Sequence, residues 1–336
     1  MKEILADAKK NHYAIPAFDV SNYEMMKAIL ETCEEEKSPA LLMTLGCDTQ
    51  GRNLQLLSSM VRGASDYFKV PVCLHMDHAT DIDFIKYGCD LGWHERNAGN
   101  VSLRLLSEEV ESVSEDFSFD REWVNLSTPV PEMSGEYIFT TVTGSYFIDI
   151  HNAPETKFCI CQISDDGMSH RVVWGGLRPT SELCGHLLAL SELKNRSLNR
   201  AVYHCHPANV VALSYIIPQD DKCFSESLWE CETECAFVFP EGVGVVPFFV
   251  PGSIELAKAT ATKIKEFNAV IWSFHGVFAS GDSISSAFGL AHAIEKAAEI
   301  KIKVLSTGKP ILNTISAEQQ EKTANTYGFK LNDFKA

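Results

Sequence analysis

The sequence predicts an α/β protein made of two unlike units, and three observations carry that expectation. Residues 1–92 run strand then helix three times over, the rhythm of parallel βαβ units. From Trp93 the texture changes to short strands rich in β-branched and aromatic residues, separated by turn residues and a few long helices. The chain has 336 residues, 45% of them hydrophobic, which exceeds what one average domain needs and is enough for two cores.

In the first stretch, YAIPAFDV, PALLMTLG and VPVCLHMDH read as strands. Ser21 or Asn22 is placed to cap a helix whose apolar positions Met25, Met26, Ile29 and Leu30 recur at helical spacing. NLQLLSSMVRGASDYF and DIDFIKYGCDLG complete the second and third units. Further on, the acidic, Ser-rich SEEVESVSEDFSFDRE reads as a surface excursion. GEYIFTTVTGSYFIDI, KFCICQI, HRVVWGG, RAVYHCH, CAFVFP, VGVVPFF and AVIWSFHGVF are strand candidates. Helices are expected in SELCGHLLALSELKN, IELAKATATKIKEF and SSAFGLAHAIEKAAEIKIKVLS.

The net charge of −16 is spread along the chain without a basic block, which argues against nucleic acid and anionic membrane as partners. There is no run of eighteen uncharged apolar residues, and the N-terminus alternates charged with apolar positions, so a cytoplasmic protein is expected. Eleven scattered cysteines fit free thiols in a reducing compartment. Cys159 and Cys161 share a strand face, and buried small hydrophobes describe them better than a metal pair.

Chemistry concentrates at AVYHCHPANV. Alternate side chains of a strand share a face, so His204 and His206 point the same way and Cys205 the other. Two such imidazoles can grip one metal ion, although an isolated HxH is more often two polar residues at a wet strand end. His275, in VIWSFHGVFASG, is a third candidate at the end of an apolar strand, and Gly276 after it would let the backbone approach a ligand. Three neutral imidazoles with an open position define a catalytic zinc site. His186 and His292 lie in amphipathic helices, where a structural role fits better. Glu182, in RPTSELCGH, reads either as a capping acid at a helix start or as a carboxylate that binds metal or moves a proton. Glu232 and Glu234 form a second acid pair. For a phosphate, small residues with free N–H groups occur at Asn97, Gly99, Asn100 and Ser102, at Thr143, Gly144 and Ser145, and at Thr180 and Ser181; each set alone also reads as an ordinary turn.

Seven motifs, taken in order, carry a family likeness: GWHERNAGNVSLR, VTGSYF, PTSEL, HCHPANVVALSY, LWECETEC, FPEGVGVVPFFVPGS and FHGVFASG. On these, residues 91–336 resemble the rhamnulose-1-phosphate aldolases of the zinc-dependent class II aldolase/adducin superfamily. The resemblance implies an α/β domain around a largely antiparallel central sheet, with one Zn²⁺ per subunit held by His204, His206 and His275. It implies Glu182 as the acid/base carboxylate that can contact the ion, and Glu234 as a second carboxylate assisting across a subunit boundary. Asn97, Gly99, Asn100, Thr143, Gly144, Ser145, Thr180 and Ser181 then map to the region that receives the phosphate. A homotetramer is implied, as is reversible cleavage of a phosphorylated ketose, L-rhamnulose 1-phosphate, to dihydroxyacetone phosphate and L-lactaldehyde in rhamnose catabolism.

The opening of the chain resembles another family. DAKKNHYAIPAFDVSNYEMMKAILETCEEEKSPALL and VPVCLHMDHATDIDFIKYGCDLG are similar to the start of a class II fructose-bisphosphate aldolase, a TIM barrel of the kind that also cleaves tagatose bisphosphate. By that resemblance Asp77 matches a proton-transfer residue and His78 a zinc ligand. The likeness stops after three βα units, so residues 1–90 are expected to be a truncated barrel segment with a silent Asp77–His78 pair, and residues 91–336 the zinc aldolase domain. The changeover falls at Asp90-Leu91-Gly92-Trp93. Three parallel strands cannot close a barrel, and their edges stay unpaired, so the first unit should be the weaker. Two rival readings stand beside the rhamnulose one. The first is a sister fuculose-phosphate, ribulose-phosphate or fructose/tagatose-bisphosphate aldolase or epimerase, against which the acidic insert and LWECETEC speak. The second is a non-catalytic adducin-like binding module, against which the three histidines and Glu182 speak.

Overall fold

The computed structural model describes residues 2–44, 60, 61, 63, 64, 67–76, 88–150 and 153–334. The chain divides into two compact units, Met1–Thr80 and Asp81–Ala336.

The first unit contains α1 (Lys2–Asn11), β1 (Ala17–Asp19), α2 (Tyr23–Glu35), β2 (Ala40–Thr44) and β3 (Val72–Met76). The strands form a parallel sheet in the order β1-β2-β3, with Phe18 opposite Leu42 and Leu42 opposite Leu74. Asn22 caps α2, its side chain accepting the Met25 N–H at 2.9 Å, which leaves the first turn's orphan donor satisfied. Of the apolar face expected for this helix, Met26 and Leu30 are buried, Ile29 packs against the same cluster, and Met25 is exposed. Leu30, Ala40 and Leu42 are fully buried, at roughly 2 kcal/mol for each large aliphatic side chain. Asp77 and His78 lie outside the described residues.

The second unit holds β4 (Asn100–Arg104), α3 (Ser107–Val113), β5 (Val124–Asn125), β6 (Tyr137–Thr141), α4 (Pro154–Lys157), β7 (Phe158–Ile163) and β8 (Ser169–Gly175). There follow α5 (Leu183–Arg196), β9 (Ala201–Cys205), α6 (Ala208–Leu213), α7 (Asp221–Trp229), α8 (Thr233–Val238) and β10 (Gly244–Val246). α9 (Ile254–Ile264), β11 (Ala269–Trp272), β12 (Gly276–Gly281), α10 (Ile284–Ser306) and α11 (Ala317–Tyr327) complete it. Its nine strands run in the order β10-β11-β12-β9-β4-β6-β7-β8-β5; β10 and β11 pair in parallel and the remaining pairs are antiparallel. This is the mixed, largely antiparallel sheet expected for the aldolase-like unit.

At β9 the sheet is buried on both faces. Ala201, Tyr203 and Cys205 of β9 face one layer with Ala287, Phe288 and Ile294 of α10. Val202 faces the other, with Leu187 and Leu190 of α5 and Leu256 and Ile264 of α9. By the period of two, His204 points to the α5 side.

Three strand expectations need correction. CAFVFP is mostly helical: Thr233–Val238 forms α8, which sinks Cys235 and Ala236 into the core beside α10 and leaves Phe237 and Val238 exposed, so packing overrides β propensity. GEYIFTTVTGSYFIDI is a strand only to Thr141, because Gly144 turns the chain at φ 74° and a 3₁₀ turn follows at Phe147–Asp149. AVIWSFHGVF is a hairpin rather than one strand, its turn made by Ser273, Phe274 and His275 with Phe274 at φ 65°. The Ser-rich 107–122 stretch is largely exposed, as expected for a surface excursion.

Candidate metal centre and active site

Three strands and a turn bring the histidines together. β9 is the middle of the β12-β9-β4 ribbon and all five of its residues are buried, so the backbone carrying His204 is fixed on both sides. His206 follows one residue past the strand, its N–H held by the Trp93 carbonyl at 3.0 Å. Behind it the chain turns straight into α6, whose first N–H groups donate to the Glu295 carboxylate (Asn209 N–H 3.1 Å, Val210 N–H 2.9 Å). His275 sits in the β11–β12 turn, with its N–H on the Trp272 carbonyl at 2.9 Å and the neighbouring Phe274 N–H donating to Ser214 Oγ at 3.0 Å.

Gly276 has a different use from the one the sequence suggested. A Cβ there would lie 2.2 Å from the Cys205 carbonyl oxygen, so the missing side chain lets β12 lie against β9 and brings His275 alongside His204 and His206.

The ligand-capable atoms of His204, His206 and His275 all lie within 4.8 Å of one another. The hydrogen bonds fix two tautomers. A carbonyl and a carboxylate only accept, so His204 Nδ1–H donates to Val277 O and His206 Nδ1–H donates to Glu95 Oε1, both at 2.9 Å. With both rings neutral the two Nε2 atoms carry lone pairs, and they face each other 3.2 Å apart. Two lone pairs at that distance repel unless a cation lies against both, which is the arrangement a divalent ion would satisfy. Burial keeps the His204 and His275 rings neutral, pushing His204 well below the usual imidazole range and His275 to about 4. Trp272 packs against His204 with centroids 4.2 Å apart and the ring planes tilted by 37°.

Glu182 occupies the N-cap position of α5, but its side chain makes no capping bond. It instead accepts a bond from Asn100 Nδ2 at 2.9 Å, and Asn100 stands opposite His204 in the β4–β9 register. The carboxylate is therefore directed to the histidine face of the sheet. Burial raises its pKa, and the Asn100 bond works against that rise. A carboxyl so placed is a candidate acid/base group.

The phosphate candidates divide. Asn100 is buried, and its Oδ1 has no hydrogen-bond partner among the described residues. The Thr143–Ser145 turn is joined to the segment before Glu182 by Thr143 N–H to Arg178 O at 3.0 Å and Thr180 N–H to Thr141 O at 2.7 Å. Thr143, Gly144 and Ser181 are exposed; Ser145 Oγ donates to Lys157 O at 3.1 Å, and Thr180 Oγ1 accepts the Glu182 N–H at 3.3 Å. Asn97 is exposed in the Glu95–Gly99 loop, where Gly99 adopts φ 76°. Glu234 is exposed on α8, and among the described residues no hydrogen bond or ion pair joins it to the histidines of its own chain.

Family models match the chain in two places: "Class II Aldolase and Adducin N-terminal domain" over residues 84–302, and "Fructose-bisphosphate aldolase class-II" over residues 1–95. The chain belongs to the class II aldolase and adducin family. A rhamnulose-1-phosphate aldolase of Yersinia pestis (strain Pestoides F) is 42% identical over 233 residues, covering 68% of this chain and 85% of that one. One from Yersinia pseudotuberculosis serotype I (strain IP32953) matches to the same extent, 42% over 233 residues with coverages of 68% and 85%. Among solved structures, a sugar-phosphate aldolase from Thermotoga maritima is similar with a TM-score of 0.60 and 28% identity, covering 68% of this chain and 95% of that one. The chain is thus an aldolase, a lyase. The two family matches overlap at residues 84–95, the stretch that contains the expected changeover at residues 90–93.

Two residues of this aldolase's site escaped the sequence reading. Trp272 was read only as part of an apolar strand. Glu95 sits 111 positions from His206, and the one sign of it in the sequence is an acid within the GWHERN stretch.

Proposed function

We propose that this aldolase is metal-dependent, uses Zn²⁺, and cleaves L-rhamnulose 1-phosphate to dihydroxyacetone phosphate and L-lactaldehyde. The observation that carries the reading is the convergence of His204, His206 and His275 within 4.8 Å, with two Nε2 lone pairs turned toward each other. The three imidazoles would hold the ion, which when bound polarises the ketose oxygens as a Lewis acid. Glu182, oriented by Asn100, shuttles the proton at the carbon left when the C3–C4 bond breaks; its raised pKa suits both halves of that exchange. The backbone N–H groups of Asn97, Gly99, Gly144 and Ser181 and the Thr143 hydroxyl would hold the phosphate, beside the Ser145 and Thr180 turns, and the Asn100 Oδ1 can accept from a sugar hydroxyl. Glu234, exposed on α8, assists from a neighbouring subunit of a homotetramer. Among the described residues no helix is long and apolar enough to cross a membrane, which agrees with a cytoplasmic place for the reaction. The name and 42% identity of the Yersinia relatives support the rhamnulose substrate.

Cleavage assays on L-rhamnulose 1-phosphate, L-fuculose 1-phosphate and L-ribulose 5-phosphate, run with metal analysis of the purified protein, test the reading. The expected result is zinc-dependent cleavage of the first with a preference of at least about tenfold in kcat/KM, the scale of one well-placed pocket contact. Faster turnover of either other sugar overturns the substrate; full activity after chelation overturns the metal.

A further inference from the structure

We propose that Glu95 is a positioning residue of the metal centre: it fixes the tautomer and ring orientation of His206 from a loop that is itself anchored by a buried His94–Tyr203 hydrogen bond. The inference rests on the reading that the three histidines hold a divalent ion.

The loop from Trp93 to Gly99 grips His206 twice. Its Trp93 carbonyl takes the His206 backbone N–H, and its Glu95 carboxylate takes the Nδ1–H. Glu95 is a charged acceptor where His204 has only the neutral Val277 carbonyl. A carboxylate behind an imidazole raises the basicity of the other ring nitrogen and holds the ring against rotation. His206 needs such a partner more than His204 does, since His204 is fully enclosed in a strand while His206 stands beyond the strand end and is only half-buried.

An exposed loop would not hold a carboxylate in place without an anchor, and the anchor is next to it in sequence. His94 is buried, with Nδ1–H donating to the Ala98 carbonyl at 3.1 Å and Nε2 accepting from Tyr203 Oη at 2.5 Å. Tyr203 belongs to β9 and is the residue before His204. The loop is thus referenced to the same strand that carries the first two ligands. Two glycines make room for the imidazole: a Cβ on Gly99 would come within 2.3 Å of His94 Nδ1, and one on Gly88 within 2.9 Å of His94 Nε2. Burial keeps this ring neutral, pushing its pKa down to about 3, so Nε2 remains an acceptor for Tyr203.

The test is zinc affinity of the full chain, measured by competition with a chromophoric chelator, together with the cobalt-substituted absorption spectrum and the melting temperature of the metal-free protein. Glu95→Ala should weaken zinc binding by about tenfold or more and shift the cobalt bands, while the metal-free melt stays within a degree or two of wild type because the residue is exposed. Glu95→Gln, which keeps the acceptor oxygen and loses the charge, should fall between the two. Tyr203→Phe should move affinity in the same direction as Glu95→Ala. Wild-type zinc affinity and an unshifted cobalt spectrum in Glu95→Ala overturn the proposal alone. A wild-type protein that takes up no divalent ion, or a His204→Ala variant that binds zinc as well as wild type, overturns the underlying metal reading and this proposal with it.

Discussion

In the first unit three parallel strands lie side by side and β1 shows all three of its residues to solvent, whereas in the second β9 runs between β4 and β12 with all five residues buried. The same period-two geometry operates in both, yet β9, unlike the edge strand β1, has its side-chain directions fixed from two sides. That is where the ligand-capable histidines stand. The contrast teaches that a strand-end HxH becomes a candidate metal site when neighbouring strands supply the third ligand and the second-nitrogen partners. In this chain β12 brings His275 and the Val277 carbonyl, and β4 brings Asn100 opposite His204.

The hardest test of that contrast is His204→Ala. Removing one of three imidazoles leaves too few ligands for a tetrahedral site, so zinc content and cleavage should be lost together, with kcat/KM down by about a thousandfold or more. Metal retained at wild-type stoichiometry would break the comparison. Limited proteolysis should give the next largest difference: residues 1–80 should be cut well before residues 91–334, because a three-stranded parallel sheet has more unprotected edge per residue. Equal resistance of both stretches would show that the first unit is as well supported as the second.

Acid should act on the second unit through its buried imidazoles. His94 and His186 have folded-state pKa values of about 3 against an ordinary 6.5, so the unfolded chain binds protons first as pH falls. Their contribution is fully present above pH 6.5 and is lost progressively between 6.5 and 3, at up to about 1.4 kcal/mol per pH unit for each ring. The raised carboxyls of Glu241 and Glu295 work in the opposite sense. His186→Asn, whose amide can keep the bond to Ser102 that Nδ1 makes at 2.7 Å, isolates one ring. Melts of this variant without metal should depend less steeply on pH below 6.5 than wild type, and identical slopes would refute the assignment. The smallest effect is expected at Asp77→Ala, which should leave turnover unchanged within about twofold because the proposed chemistry does not use this residue. A large loss there would assign chemistry to the first unit as well.

What the sequence could reveal depended on how local the cause was. Asn22 as a cap, the shared direction of His204 and His206, and the long helices α5, α9 and α10 all follow from spacings of a few residues. α8 did not, because its β-rich letters are overruled by the burial of Cys235 and Ala236 against α10. Nor did the α7 and α11 helices, although Asp220 and Ser316 prove to be their capping residues. Within the site, Glu182 was visible as an acid at a helix start, but its choice of Asn100 over the helix N–H groups is a contact across 82 positions that no local rule encodes. His275 was legible as a candidate ligand but not in its setting, since one apolar run concealed a hairpin whose turn depends on a left-handed Phe274.

The near-contact at Gly276 bears on any attempt to alter this protein. With the Cys205 carbonyl oxygen 2.2 Å from where a first side-chain carbon would sit, even alanine must push β12 off β9, carrying away the Val277 carbonyl that orients one ring and the turn that delivers another. In a fully randomised library at this codon, survivors that still load metal should therefore all read as the wild-type residue. Attempts to change the substrate range should start from positions other than this one.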